Sequence, residues 1–594
     1  MKHTLRALLP AVAVACAAAL LTAQTRVTLS PKAWPKGEYE RFMAAQDVKR
    51  TEAGVATGMN GAVTVANNGV AARAGLEALA QGGNAIDAAM TAAVTQVAAS
   101  AGAPISYFGI LSLVYYDAAS GKVYTMNAEW NTLRGETEPA TIPGSINMDS
   151  EAGLRGTAVS GRTALVGGFM KGVEAAHKRF GKLPFKVIFE PAIEIAEQGM
   201  AVTKGLADKF RFREEDLSRL PATKAIFMKP DGTRYAAGEI FKQPALAATL
   251  RAVATQGTDY MYKGPWARKL VAAVQADGGK MTLDDLAAYE AIWDEPLVGP
   301  IGNGYTLYTN PPPNLGGATM IEAQLLAAAS GLATEPHWTK SGASLKKALD
   351  ITQMFTLQYL PDSTIQLLYP RLGFSTADRT TPAHAAELWK RMQAGTTPFR
   401  WKAPPSSGHS DDVVAIDKAG NIAAITQSIN CVDWGRTAIN IDGISIGDPA
   451  SFQQSQIARA KPGTRLPAPT ETGILFKDGV PVLGFASMGS GLHQRTFQAL
   501  LNVTRHGMTV DQAINTPDFM TPKADGTGTL IARVEKGKYP PDVLKATGYA
   551  FEEVDPRDAR FGGEGLWVAI SRDPKTGLLR AASHNRTNSA AVAR

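Results

Sequence analysis

The sequence predicts a single mixed α/β unit whose central sheets take strands from both halves of the chain. Three observations predict this fold class. Helix-like segments dominate the chain before residue 404, short β-rich segments follow in quick succession from residue 411, and further β-like runs lie near the start. No internal repeat or low-complexity region interrupts this order.

The elements of the first half follow from apolar periodicity and from glycine and proline breaks. Two alanine-rich helices are predicted at 71–80 and 85–98; Gly82 and Gly83 end the first, and Asn84 caps the second. The other predicted elements are strands at 62–66, 110–116, 122–126 and 305–308 and helices at 168–180, 185–198, 243–255 and 318–329.

The second half is predicted to be mainly strand. Segments 411–417 and 421–429 are apolar on both faces along their centres, so this hairpin is expected to be buried on both sides. Residues 404–408 (Pro-Pro-Ser-Ser-Gly) predict an exposed, unstructured approach to it. The other predicted elements are strands at 472–477, 480–486 and 566–571 and a helix at 493–506.

The loop of this hairpin predicts which residues face each other. Residues 417–421 fit a three-residue loop with Gly420 in the left-handed conformation. In that register Ser410 lies opposite Ser428 on the same face, and Asn430 follows just beyond. A slip of one residue would place Ile429 opposite Ser410 instead.

A serine at the first position of a buried strand has a particular chemical use. If the bond between His409 and Ser410 is cut, Ser410 carries both a nucleophilic Oγ and a free α-amine, whose ordinary pKa of about 7.7–8.0 suits a general base. The same Oγ can make that cut through an N-to-O acyl shift followed by ester hydrolysis. Ser428 would then hydrogen-bond to Oγ, and Asn430 would help to orient the amine. On position alone, an ordinary polar residue at a strand start is the more common case.

Residues 1–23 have the layout of a secretion signal. A basic start (Lys2, His3 and Arg6) precedes an apolar run over 8–21 and a small-residue cleavage site at 21–23. The alternative is a membrane anchor, but this run of about 14 residues is shorter than the roughly 20 of a spanning helix. The mature protein is therefore expected in the periplasm or the extracellular space, with no stable membrane insertion.

Cysteine usage, charge and histidine spacing exclude several classes of protein. Cys16 is predicted to leave with the signal, or alternatively to carry a lipid anchor, so Cys431 has no partner for an intrachain disulfide. The net charge of +7 is spread along the chain without a basic block, which argues against nucleic-acid binding. The eight histidines lack the spacing of a metal site, and no cofactor is predicted.

Several short segments, in order along the chain, together carry a family resemblance. They are 74–77 (Ala-Gly-Leu-Glu), 81–89 (Gln-Gly-Gly-Asn-Ala-Ile-Asp-Ala-Ala), 172–177, 180–184, 312–317 (Pro-Pro-Asn-Leu-Gly-Gly), 413–421, 461–465 (Lys-Pro-Gly-Thr-Arg) and 507–508. On these segments the chain resembles the γ-glutamyltransferase (γ-glutamyltranspeptidase) family of N-terminal-nucleophile hydrolases. The resemblance implies a four-layer αββα sandwich and a precursor that is cut into a large subunit (24–409) and a small catalytic subunit (410–594), which remain together as a heterodimer.

The resemblance also implies roles for individual residues. The family's nucleophilic threonine falls on Ser410, and its supporting threonine and asparagine fall on Ser428 and Asn430. The glycine pair whose backbone N–H groups bind the oxyanion falls on Gly489 and Ser490, where only the backbone is needed. The implied reaction is attack of Ser410 on a small amide or peptide substrate, formation of an acyl-enzyme, and release of the acyl group to water or an amine.

The chain departs from the family where the family binds the α-carboxylate and α-amine of glutamate. The carboxylate-binding arginine falls within 127–129 (Asn-Ala-Glu), a Ser-Ser pair falls on 468–469 (Ala-Pro), and the amine-binding acids fall around 450–451 (Ala-Ser). These losses argue against tight recognition of an unmodified γ-glutamyl group. The remaining weak candidates for anion binding are Arg134, Arg436 and Arg465, although a solvated or structural arginine is the more common case for each.

Three alternatives stay open beside a γ-glutamyltransferase-like enzyme. A β-lactam-type N-acyl acylase of the same superfamily would use the same chemistry on another acyl group. A catalytically degenerate member would keep the fold as a binding or scaffold protein. The motif at 443–447 (Gly-Ile-Ser-Ile-Gly) matches a nucleophile elbow around Ser445, but Asp448-Pro449 favours a turn rather than the helix that an elbow needs.

Overall fold

The computed structural model describes residues 27–48, 50–144, 158–395, 397–398, 400–401, 410–555, 565–585 and 588–594. The predicted signal at 1–23, the approach at 404–408 and His409 lie outside these residues. No helix in the described ranges has the length and apolar character needed to cross a membrane.

The strands, numbered in chain order, form two large sheets and three smaller ones. They are β1 Gly54–Gly58, β2 Gly61–Val65, β3 Ile110–Asp117, β4 Lys122–Ala128, β5 Met200–Ala201, β6 Ile240–Phe241, β7 Ile292–Asp294, β8 Leu297–Gly302, β9 Tyr305–Thr309, β10 Arg400–Trp401, β11 Asp411–Asp417, β12 Ile422–Ser428, β13 Ile439–Ile441, β14 Ile444–Ile446, β15 Glu471–Lys477, β16 Val480–Met488, β17 Phe519–Ala524, β18 Leu530–Glu535, β19 Ala550–Val554, β20 Leu566–Arg572, β21 Leu579–Ser583 and β22 Ala590–Ala593.

The α-helices are numbered in the same way over the described ranges. They are α1 Glu38–Ala44, α2 Gly69–Ala80, α3 Ala85–Ala99, α4 Phe169–Phe180, α5 Glu190–Gln198, α6 Lys204–Phe212, α7 Glu214–Leu217, α8 Pro221–Phe227, α9 Pro244–Gln256, α10 Asp259–Tyr262, α11 Pro265–Ala276, α12 Leu283–Ala287, α13 Gly316–Ala329, α14 Gly342–Gln353, α15 Asp362–Leu368, α16 Thr376–Arg379, α17 Pro382–Gln393, α18 Ala450–Ile457, α19 Leu492–Thr504, α20 Val510–Asn515 and α21 Pro541–Thr547.

Two seven-stranded sheets form the centre of the molecule. The first has the strand order β22-β2-β11-β12-β3-β4-β7, and the second has the order β1-β21-β20-β16-β15-β9-β8. Each sheet combines strands that precede residue 410 with strands that follow it, which confirms the fold class predicted from the sequence. A four-stranded sheet (β10-β17-β18-β19) and two two-stranded sheets (β13-β14 and β5-β6) lie outside this centre.

The strand β11 shows how the layers stack, because its side chains alternate between two cores. Val414 and Ile416 pack between the two large sheets. Val413 and Ala415 face the opposite way and join the core that includes helices α2 and α3. A third core packs helices α13, α14 and α19 on the outer side of the second sheet. The order helix, sheet, sheet, helix is the four-layer αββα sandwich that the family resemblance implies.

One predicted helix is divided in the structure. Residues 185–198, predicted as a single helix, form a 3₁₀ segment at Phe185–Phe189 followed by α5 at Glu190–Gln198. Pro191 explains the boundary, because proline lacks an N–H group and is tolerated in the first turn of a helix rather than in its interior.

Candidate active site

Ser410 lies immediately before β11 in an unusual backbone conformation. Its φ is +110°, a value that residues with a side chain rarely adopt and that costs about 1–3 kcal/mol. Its backbone N–H donates to the Pro104 carbonyl at 3.3 Å. The residue is buried, with 7% of its surface exposed. Neither this conformation nor the Pro104 contact could be predicted from the residues around Ser410.

The hydroxyl of Ser410 is held by its cross-strand neighbour. Ser410 Oγ donates to Ser428 Oγ at 2.9 Å, and the backbone N–H of Asn430 donates to the same Ser428 oxygen at 2.9 Å. Asp411, the first residue of β11, pairs with Gln427 near the end of β12. The predicted register is therefore confirmed, including the left-handed Gly420 in the loop, whose φ is +90°.

Asn430 is oriented by a tryptophan that sequence reasoning missed. The indole Nε1–H of Trp130 donates to Asn430 Oδ1 at 2.9 Å, and both side chains are buried. This bond fixes the direction of the carboxamide beside Ser428 and Ser410. Trp130 lies 280 positions before Ser410 in the sequence, and only the pairing of β3 and β4 with the hairpin brings the two regions together.

Gly489 and Ser490 form the turn that joins the end of β16 to the start of α19. Gly489 is buried with a φ of +90°, and Ser490 is exposed. The preceding residue, Met488, accepts a hydrogen bond on Sδ from Asn67 Nδ2 at 3.8 Å. The backbone N–H of Asn67 in turn donates to the carboxylate of Asp411 at 3.0 Å. Asn67 therefore connects Met488, at the start of this turn, to Asp411, the residue that follows Ser410.

Two buried acids, Asp411 and Asp412, follow Ser410 directly in the chain. Asp411 accepts hydrogen bonds from the backbone N–H groups of Asn67 and Asp412, while Asp412 accepts one from Thr426 Oγ1 at 2.7 Å. Neither side chain is exposed to solvent. Burial raises the pKa of both carboxyl groups well above the usual range, because a charged carboxylate is poorly stabilised there.

The guanidinium of Arg465 is engaged by the protein itself. It donates from Nη1 to the Asn127 carbonyl at 2.6 Å, from Nε to Asn131 Oδ1 at 2.7 Å and from Nη2 to the Glu290 carbonyl at 2.7 Å. It also lies over the ring of Tyr289, 4.6 Å from the centroid. These contacts fit a structural arginine. A solvated or structural role is also the more common case expected from the sequence.

The other two arginine candidates lie in loops. Arg134 is exposed, and its backbone N–H donates to Asp285. Arg436 is half-buried, and its backbone N–H donates to Asp448 Oδ2 at 3.1 Å. In the described part of the chain, Ser410 contacts Ser428 and Pro104, and Asn430 contacts Trp130. The anion-binding role of the two arginines stays a prediction.

A buried apolar cluster lies beside the hydroxyl pair. Its members are Ile110, Trp130, Ile142, Leu165, Ala450, Ile457, Leu466 and Ala468. Ile110 is the cross-strand partner of Ser428, and Trp130 contacts Asn430. The segments 450–451 and 468–469, where the family binds glutamate, each contribute an alanine to this cluster. Ala450 and Ala468 therefore contribute apolar side chains at these two positions.

Glu129, next to Trp130, is a third buried acid near the site, and the sequence did not mark it as functional. Its carboxylate accepts hydrogen bonds from Thr470 Oγ1 at 3.0 Å and from Asn127 Nδ2 at 3.0 Å. Burial raises the pKa of Glu129 to about 7, although these hydrogen bonds and the Arg465 charge act in the opposite direction.

Ser445 does not form a nucleophile elbow. It lies in β14, where it pairs with Asn440 of β13 across the turn at Gly443. An elbow needs a strand that runs directly into a helix at the serine. Ser445 lies in the middle of its strand, so no elbow forms. The expectation of a turn rather than a helix at Asp448-Pro449 is wrong, because helix α18 begins at Ala450, with Pro449 at its N-cap position.

The fold and the comparisons with known proteins define an enzyme of the N-terminal-nucleophile hydrolase type. The chain belongs to the gamma-glutamyltranspeptidase family, whose sequence model matches residues 71–594. It is 27% identical to the glutathione hydrolase proenzyme of Bacillus subtilis (strain 168), over 91% of this chain and 92% of that protein. It is 28% identical to the acylase ACY 1 proenzyme of Pseudomonas sp. (strain V22), over 78% of this chain and 83% of that protein.

A solved structure shares the fold. The cephalosporin acylase from Bacillus halodurans superposes with a TM-score of 0.72, covering 96% of this chain and 99% of that one, at 22% sequence identity. At this identity the likeness establishes the αββα architecture alone. The substrate has to be inferred from the residues of the site.

Proposed function

We propose that the protein is a self-processing amidohydrolase or acyltransferase that cleaves a γ-glutamyl or related acyl amide through an acyl-enzyme on Ser410. The observation that carries the proposal is the hydrogen bond of 2.9 Å between Ser410 Oγ and Ser428 Oγ at the start of a buried strand. Membership of the gamma-glutamyltranspeptidase family supports the same chemistry, and several relatives are named as proenzymes.

Self-cleavage would begin from the precursor. Ser410 Oγ attacks the His409 carbonyl carbon, the peptide C–N bond breaks, and an ester to Oγ forms while the Ser410 nitrogen takes a proton. Water then hydrolyses the ester, which leaves a carboxylate on His409 and a free amine on Ser410. The positive φ of Ser410 favours this step, because the strained backbone is released when the bond breaks. The products are the predicted subunits 24–409 and 410–594.

In the mature enzyme the new amine would act as the general base. The nitrogen of Ser410 already lies 3.3 Å from the Pro104 carbonyl, which can hold the amine by its N–H groups. The amine takes the Oγ proton as Oγ attacks the substrate carbonyl, and returns it to the departing nitrogen. Backbone N–H groups of Gly489 and Ser490 would stabilise the negative oxygen. Water or an amine then takes the acyl group from Ser410.

Two candidate functions, a γ-glutamyl enzyme and an N-acyl acylase, differ in the acyl group that the enzyme would accept. A γ-glutamyl donor carries a charged α-carboxylate and α-amine, whereas the apolar cluster beside Ser428 offers alkyl and indole groups. Burying charged groups against such a wall is costly without partners. This cluster favours the second candidate function, an N-acyl acylase, over tight recognition of unmodified γ-glutamyl groups. Initial rates on γ-glutamyl, other dicarboxylic and apolar N-acyl p-nitroanilides would rank the two.

The protein is proposed to be exported to the periplasm or the extracellular space, and the layout of residues 1–23 supports this. Sequencing the first residues of protein taken from the periplasm and from the medium would test both the site of signal removal and the compartment. A mature chain that keeps residues 1–23 would contradict the proposal.

Replacing Ser410 is the test of the proposed function. Purified wild-type protein is expected to yield two fragments, the smaller beginning at Ser410, whereas Ser410→Ala should remain one chain without activity. Ser410→Thr is the matched control, because it keeps the hydroxyl. Identical fragments from Ser410→Ala would refute the role of Ser410, and a wild-type chain that stays intact on prolonged incubation would favour the scaffold alternative.

A further inference from the structure

A buried hydrogen-bonded bridge lies behind the turn at Gly489 and Ser490. His493 Nδ1 is 2.5 Å from Glu471 Oε1, and His493 Nε2 is 2.6 Å from Gln358 Nε2. Glu471 is the first residue of β15, His493 lies in the first turn of α19, and Gln358 belongs to the 3₁₀ segment Met354–Tyr359. Glu471 is 0% exposed and His493 is 5% exposed.

The direction of these hydrogen bonds follows from Gln358. Its Nε2 also donates to the Phe355 carbonyl at 3.2 Å, which fixes the orientation of the amide. Nε2 of His493 is therefore the acceptor from Gln358, and the Nδ1–H of His493 donates to Glu471. The second oxygen of Glu471 is buried without a hydrogen-bond partner among the described residues. The His493 bond is thus the principal stabilisation of this carboxylate.

The bridge contacts both ends of the turn. Glu471 pairs across the sheet with Ser487 of β16. Ser487 Oγ lies 3.0 Å from the Leu566 carbonyl and 3.3 Å from the Leu492 carbonyl, and its single proton is shared between these two acceptors. His493 is the next residue of the helix after Leu492. The hydrogen bond between Glu471 and His493 therefore ties the strand that enters the turn, through β15, to the helix that leaves it.

We propose that Glu471 and His493 are positioning residues for the reaction, and that their hydrogen bond holds the backbone N–H groups of the turn at the place where the oxyanion forms. This inference rests on the proposed function, because it needs the turn to be the oxyanion site. Such donors act at 2.7–3.1 Å, and a displacement of about 1 Å is enough to cost on the order of 100-fold in rate. A helix held by packing alone can shift by that amount without unfolding.

Two substitutions of His493 separate positioning from packing. In His493→Asn the amide nitrogen takes the place of Nδ1, so the bond to Glu471 is kept. In His493→Gln the amide oxygen reaches the place of Nε2 and can accept from Gln358 Nε2, so the Gln358 contact is kept and the Glu471 bond is lost. Both variants remove the ring, and a purely structural role predicts similar losses for the two.

The experiment measures kcat and KM on the best donor from the p-nitroanilide panel, per mole of the 410–594 fragment, together with Tm. We expect His493→Asn to stay within about threefold of the wild-type kcat, and His493→Gln to lose about 100-fold, the scale of one oxyanion donor, with KM little changed. Glu471→Ala should behave like His493→Gln, and combining the two should add little.

Equal kcat values for His493→Asn and His493→Gln, or a loss confined to KM, would overturn the inference. Ser410→Ala in the same assay keeps the two proposals apart. Turnover that survives Ser410→Ala would refute the proposed function. Turnover that is lost in Ser410→Ala but unchanged in His493→Gln would refute only the role of the bridge.

Discussion

Replacing Ser428 by alanine is expected to slow self-cleavage before Ser410 by about 10- to 100-fold. Among the described residues, the Ser428 hydroxyl accepts two hydrogen bonds of 2.9 Å, one from Ser410 Oγ and one from the Asn430 backbone N–H. Each is worth about 1 kcal/mol net, and 1.4 kcal/mol corresponds to a factor of ten in rate. Without the bond to Ser428, the Ser410 hydroxyl is no longer held in place. Without the bond from its backbone N–H, the loop at Asn430 can move.

The same substitution should also reduce stability. The Asn430 N–H is left buried without its acceptor, which lowers the free energy of unfolding by about 1–3 kcal/mol. This loss is measured by urea denaturation of a pair that cannot cleave, Ser410→Ala with and without Ser428→Ala, so that processing does not complicate the comparison.

The assay for Ser428 is the time course of fragment formation by freshly purified precursor, with mass spectrometry to locate the new terminus. Ser428→Thr is the matched control, because it keeps the oxygen and should cleave within about threefold of wild type. Wild-type cleavage by Ser428→Ala would refute the reasoning. Equal slowing by Ser428→Thr would show that packing at this position matters rather than the hydroxyl.

Two further predictions concern stability. Because burial raises the pKa of Glu129 to about 7, the folded state keeps this acid protonated while the unfolded chain ionises above about 4.5, so stability falls as the pH rises between these values. Glu129→Gln should therefore match wild type in urea denaturation at pH 4 and exceed it by up to about 3 kcal/mol at pH 8; a difference that does not vary with pH would contradict this. Gly420→Ala, at a φ of +90° in the β11-β12 loop, should lower the unfolding free energy by about 1–2 kcal/mol. Gly205→Ala, with open space around an exposed position in α6, should raise it by up to about 1 kcal/mol, and effects of the same sign would count against the conformational argument.

The hairpin that carries Ser410 could be predicted because its information is local. The loop at 417–421 and the apolar runs on either side set the register, and the structure pairs Asp411 with Gln427 as that register requires. Helices with clear breaks were predicted equally well; the second alanine-rich helix, expected at 85–98, is found at Ala85–Ala99. Capping residues and short loops act over a few positions, so a single sequence contains them.

The partners of the site could not be predicted in this way. Trp130 reaches Asn430 only because β3 and β4 lie in the same sheet as the hairpin. The contact of Glu471 with His493 joins a strand to a helix on the outer side of the second sheet, and an isolated glutamate or histidine carries no signal of it. Long-range pairing decides which polar groups are buried together, and periodicity does not report it.

The interleaved sheets have a consequence for the proposed pair of subunits. In the first sheet β11 and β12 lie between β2 and β3, so residues 410–594 supply the middle of a hydrogen-bonded ladder whose outer strands include earlier parts of the chain. Separating the two pieces would expose unpaired strand edges on both. Exchange of subunits between two molecules should therefore be as slow as global unfolding, and a mature enzyme that has been fully denatured would have to reassemble by a bimolecular reaction that its precursor never faced.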